Sequence, residues 1–231
     1  MSSRVERPAG GLDLSRVAGY LFVVAAVLTG IIFVFWMNGT DPKTNPKRFA
    51  DSATGATALA AGYVYIIALA ALMLGLVALY AVLANVDVNP PALAGLVLSE
   101  ISIGILVAVQ GGSTLGGAVV ARAYLGGNAD AAVVMEKFNG GTFGQAFMTA
   151  FTIAAVLAAL GAILLGIATW RSSVLPRAAA VLLGVGLFLM IVIMRFVSQV
   201  GEVLFAIAGL LIARSGGART SVSRSEMAQA T

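Results

Sequence analysis

Apolar runs of about 20 residues, the length a helix needs to cross a bilayer core, alternate along this chain with short clusters of Gly, Pro, Asn, Asp and basic residues. The first run extends from Arg16 to Met37 and carries Tyr20 and Trp36, aromatic residues of the kind that settle at membrane interfaces. The prolines, glycines and Asn/Asp residues of NGTDPKTNPKRFADSATG end it. A second span covers Thr57 to Ala84 and stops before NVDVNPP. Pro90 and Pro91 suit the first positions of the next helix, where a missing N–H costs nothing. This third span passes through Glu100 and Gln110 toward GGSTLGG (111–117), which reads as a flexible helix end or, alternatively, a re-entrant ligand loop. Residues 118–142 read as an interfacial helix or loop, span four covers Phe143 to Trp170, and span five runs from Arg177 to Met194 after the tight connection RSSVLPR.

The stretch MRFVSQVGEVLF (194–205) decides the topology. One helix from Pro176 to Arg214 would measure about 58 Å at 1.5 Å per residue, twice the hydrocarbon thickness, and would push VLFAIAGLLIA into water. A turn near residues 195–201 returns that run to the bilayer as a sixth span. The expected fold is therefore all-α: a polytopic bundle of six transmembrane helices over residues 1–214, with five as the alternative, followed by a disordered cytoplasmic tail over 215–231.

Composition supports this and narrows the chemistry. Apolar residues make up 60% of the 231 residues and charged ones only 10%, with a mean hydropathy of +0.99, whereas soluble domains carry about 25% charged residues. The runs are continuous and not alternating, which favours helices over barrel strands. The first is too long for a signal-peptide core of about 7 to 15 residues and reads as a retained span. Cysteine and histidine are both absent, which removes thiolate clusters and the usual ligand of haem, zinc and copper; no metal or cofactor is expected. The net charge of +4 comes from residues at span ends and speaks for orientation, not for nucleic acid. With the N-terminus inside, Arg4, Arg7, Arg16, Arg171, Arg177, Arg214, Arg219 and Arg224 face the cytoplasm, against six Lys/Arg outside. With five spans and the N-terminus outside the split is eight against five, so the charge bias does not choose between them and the apolar last run places both ends in the cytoplasm.

Two kinds of candidate position follow. Small residues let helices approach closely in lipid, and they recur every fourth residue at Ala146, Ala150, Ala154, Ala158, Ala162 and Gly166, and again at Gly104, Ala108, Gly112 and Gly116. These two ridges predict that spans three and four pack backbone to backbone. Among polar residues, Glu100 continues the second ridge one step back. A carboxylate there costs about 2.5 to 3.5 kcal/mol on insertion scales, so it is expected to be neutral and hydrogen-bonded to Tyr80, Ser99 or Ser102, either as a helix tie or as a proton-linked group. Gln110 reads as an interhelical hydrogen-bond donor. Arg195, Gln199 and Glu202 are expected at the outer edge, as a solvated ion pair or, with Lys43, Lys47 and Arg48, as a pocket for an anionic or zwitterionic ligand.

The segments SRVAGYLFVVAAVLTGI (15–31), WRSSVLPRAAAVLLGVG (170–186) and VGEVLFAIAGLLIARSG (200–217) together resemble an uncharacterised family of bacterial multi-pass membrane proteins, the domain of unknown function 4386 group. The resemblance implies a six-helix protein of the bacterial inner membrane and carries over no catalytic residue. The interval between Leu175-Pro176-Arg177 and Gly201-Glu202 is shorter here than the family leads one to expect. The reading is a subunit, scaffold or accessory factor with a membrane-protein partner or a second copy of itself, the lipid bilayer being its medium; the alternative is a small proton-linked transporter using Glu100.

Overall fold

The computed structural model describes residues 13–36, 43–84, 89–191 and 195–229. In chain order the helices are α1 (Leu14–Trp36), α2 (Pro46–Thr54), α3 (Ala56–Leu83) and α4 (Asn89–Gly111), a π-helical turn (Gly112–Gly116), then α5 (Gly117–Leu125), α6 (Asp130–Gly140), α7 (Thr142–Arg171), α8 (Arg177–Ile191) and α9 (Arg195–Gln229). The fold is all-α. Five helical stretches are long and apolar enough to cross a membrane, within α1, α3, α4–α5, α6–α7 and α9, and α8 is a shorter apolar helix.

Six of these helices close a ring. Going round it, α1 packs on α3, α3 on α4, α4 on α7, α7 on α8, α8 on α9, and α9 returns to α1. Alternate helices run in opposite directions, because contacts pair the start of one with the end of the next. Gly95 of α4 meets Leu165 of α7, while Ser102 meets Ala154; Gly19 of α1 meets Gly209 and Ala213 of α9. The starts of α1, α4 and α8 therefore share one end of the bundle with the ends of α3, α7 and the apolar part of α9. The other end carries a cap of short helices.

Glycine pairs draw the helices together. A methyl group on Gly161 would lie 3.0 Å from both the Gly95 carbonyl oxygen and the Ser99 nitrogen. Gly186 and Gly201 hold α8 and α9 equally close, since a Cβ on Gly201 would come 2.5 Å from Met190 N and 2.8 Å from Gly186 O. With no hydrophobic drive between helices in lipid, this backbone proximity, which maximises dispersion contacts, supplies much of the association. Phe22 and Phe205 are fully buried with ring centroids 5.0 Å apart, and Phe22 fills the space beside Gly75 and Gly209.

The Gly186–Gly201 contact settles how the last two apolar segments are arranged. In one continuous helix these residues would be about 22 Å apart; instead α8 and α9 lie antiparallel in contact. The predicted turn at 195–201 is corrected in position. Those residues already form the first turns of α9, and residues 192–194, between α8 and α9, lie outside the described ones. At 15 residues, or about 22 Å, α8 is short for a hydrocarbon core of about 30 Å. It is flanked by α7 and α9.

The glycine-rich stretch GGSTLGG is neither a helix end nor a re-entrant loop. It continues α4 into α5 through the π turn, with Gly62 of α3 seated against Thr114. Residues 118–142 are helical over most of their length, as α5 and α6. With α2 they form the cap, around a small core of Ala50, Ala121 and Met135. Asn45 opens α2 by accepting the Arg48 N–H at 3.0 Å, and Lys43 pairs with Glu136 at 3.5 Å. The segment expected to be disordered after residue 214 is helical as far as Gln229.

Candidate binding cavity

A partly open cavity of about 330 Å³ lies among α1, α3, α4, α7 and α8. Its walls are mostly aliphatic, from Leu69, Leu72 and Leu76 of α3, Ile103 and Leu106 of α4, and Leu187 and Met190 of α8. Aromatic rings enter from Tyr65 on α3 and from Phe147 and Phe151 on α7. Thr29, Ser99, Ser102, Gln110 and Ser113 supply the remaining polar groups.

Most of those groups are already committed. The Thr29 hydroxyl donates to the Ala25 carbonyl at 2.8 Å, and the Ser102 hydroxyl crosses to the Ala154 carbonyl of α7 at 2.8 Å. Gln110 donates through Nε2 to the Thr114 hydroxyl at 2.7 Å, and Ser113 donates to the Gln110 carbonyl at 3.1 Å. The Gln110 bond thus stays within its own helix, spanning the π turn. Buried Ser99 Oγ has no hydrogen-bond partner. The cavity therefore offers apolar contact along its length with a few fixed polar points, the composition usual for small-molecule sites.

Glu202 lies just behind this wall. It is only 5% exposed, and its Oε1 has no hydrogen-bond partner. Its other oxygen occupies room left by Gly30, where a Cβ would come within 2.7 Å of it. Thr29, the neighbour of Gly30, lines the cavity, as does Tyr65, which lies within electrostatic reach of the Glu202 carboxyl.

This differs from the sequence expectation of an outer-edge cluster. With the reversal placed before Arg195, Glu202 falls two turns into α9 and is buried in the ring. Gln199 is half-buried, and the Arg195 side chain lies outside the described residues. Lys43, Lys47 and Arg48 are exposed in the cap and line no part of the cavity. Glu100 is half-buried on α4, with Oε1 lacking a partner, and does not line the cavity. Ser102, one of its expected neighbours, is bonded to Ala154 instead.

The two small-residue ridges divide. Ala154 and Ala158 are buried, Ala154 accepting the Ser102 hydrogen bond from α4, while Gly166 meets Ala180 and Gly184 of α8, and Gly184 in turn lies against the Ala162 carbonyl. Ala146 is exposed and Ala150 half-buried. On α4, Gly104 has nothing near it and Ala108 is exposed, while Gly112 and Gly116 lie against Phe147 and Phe138. The close seam between α4 and α7 runs instead through Gly95, Ser99 and Ser102 against Ala154, Gly161 and Leu165.

No family model matches the chain, and no curated protein or solved structure matches it either.

Proposed function

We propose that this integral membrane protein is an accessory or scaffold component that binds a small, mainly apolar molecule inside its ring of helices. One observation carries the reading: the cavity of about 330 Å³, walled by α1, α3, α4, α7 and α8 and lined by aliphatic and aromatic side chains with few uncommitted polar atoms. Such volumes fall at the lower end of the range of about 300 to 1,000 Å³ for small-molecule sites. Glu100 lies off the cavity, so a transport reading built on that residue has no carboxyl in the wall to support it. A protein partner or a second copy would use the outer faces, leaving the cavity free.

The neutral fluorophore 1-aminoanthracene, whose emission rises in apolar surroundings, tests this. Purified protein in a neutral detergent is expected to bind it saturably. Ala155→Trp, which places a large side chain in the cavity wall away from the Gly95–Gly161 seam, should weaken binding at least tenfold while the protein stays monodisperse. Equal binding by both proteins would refute an internal site.

The proposal extends to kinship and placement. The three segments that resemble the uncharacterised bacterial family fall on α1, on the α7–α8 connection and on α9, three helices consecutive around the ring with α8 beside α9 and α9 beside α1. We place the protein in a bacterial inner membrane with the end that carries Leu14 and Ser215 toward the cytoplasm. The chain has no cysteine, so single cysteines report orientation directly. Cysteines replacing exposed Arg16 and Arg214 are expected to react with an impermeant maleimide only after the cytoplasmic face is opened, and one replacing Lys47 before it. Labelling of Arg16→Cys and Arg214→Cys from opposite faces would contradict the arrangement.

A further inference from the structure

We infer that the cavity is selective for a cationic ligand, a small organic ammonium whose apolar portion fills the ring and whose charge is drawn to Glu202. The inference rests on the internal site proposed above and adds the chemical class of its occupant. Three observations point the same way. First, Glu202 is a buried carboxyl with an unpartnered oxygen directly behind the wall formed by Thr29 and Tyr65. Removing one ion from water costs several kcal/mol, and an opposite charge in low dielectric offsets that cost. Second, no Lys or Arg lines the cavity, and the ion pairs among the described residues, Arg16–Asp13 and Lys43–Glu136, lie at the bundle ends. Third, Tyr65, Phe147 and Phe151 turn aromatic rings toward the cavity, and an organic cation is attracted to the negative face of such rings. The ionised Glu202 carboxylate would repel an anion, and an uncharged molecule without a hydrogen-bond donor would gain nothing from it.

The test compares two probes of the same shape. Benzyltrimethylammonium and its uncharged carbon isostere, neopentylbenzene, differ in charge alone. Each is titrated against bound 1-aminoanthracene, and the readout is the ratio of their displacing concentrations on one protein preparation. In the wild type the cation is expected to displace at least tenfold more effectively. Glu202→Gln should bring that ratio below two, Glu202→Asp should retain part of the preference, and Val203→Leu on the exposed face should leave it unchanged. A wild-type ratio near one overturns the inference whatever the variants do, and so does a preference that survives in Glu202→Gln. If 1-aminoanthracene does not bind, the general reading of the cavity fails separately. Calorimetry with benzyltrimethylammonium alone then decides the charge selectivity: binding that Glu202→Gln removes supports it, and no binding overturns it.

Discussion

Gly161→Leu is expected to destroy the folded bundle, with loss of the monodisperse species in size exclusion and a destabilisation of about 3 kcal/mol, the upper end of the usual cost of overpacking. The reason is that the obstacle is backbone. A Cβ at this position would lie 3.0 Å from Gly95 O and 3.0 Å from Ser99 N, and closer still to Ser99 Oγ. The Ser99 side chain can rotate, but the α4 main chain cannot withdraw without separating the helices. Separation would also break the Ser102–Ala154 hydrogen bond, one of a kind worth about 0.6 kcal/mol in membranes. Gly104→Leu is the matching control on α4. Nothing lies within 4 Å of its Cβ position, so the change should cost within about 0.5 kcal/mol, as for surface substitutions generally. Equal damage from the two substitutions would contradict the assignment of the α4–α7 seam.

That contrast shows what the sequence exposed and what it concealed. The apolar runs were legible because length against bilayer thickness is a strong constraint, and the α4–α7 pairing was legible from small residues. Which face of each helix was used was not. A stripe spaced strictly by four advances about 40° per step on a helix of 3.6 residues per turn, so it winds off a straight seam. Gly104, Ala108, Gly112 and Gly116 therefore drift from open space toward Phe147 and Phe138. Alternating steps of three and four drift only about 20° per heptad, and Ala92, Gly95, Ser99 and Ser102 keep that spacing; Gly95, Ser99 and Ser102 lie on the seam. The same drift hands Ala162 and Gly166 of α7 over to α8. Glu202 was legible as a polar residue at the head of the last span but was expected at the outer edge, because no proline marks where α9 begins and its start at Arg195 places Glu202 two turns inside the helix. Gly30, the residue that makes room for it, carries no signal until α1 and α9 are known to be neighbours.

Gly201→Leu should have the second large effect, and it should reach the cavity as well as stability. Gly201 is where α9 presses on α8, with Met190 N 2.5 Å and Gly186 O 2.8 Å from its Cβ position. A leucine there forces the two helices apart, at a cost again of about 3 kcal/mol. Because α8 is the shortest of the apolar ring helices, it has little lipid-facing length to hold it once that contact is lost. Leu187 and Met190 on α8 line the cavity, so its displacement opens the wall, and Glu202 moves with α9. The expected result is an apparent melting temperature well below that of the wild type, together with loss of 1-aminoanthracene binding. Val203→Leu, two residues on and 59% exposed, should change neither. If Gly201→Leu lowered stability yet left binding intact, α8 would be a brace outside the binding site and not part of its wall.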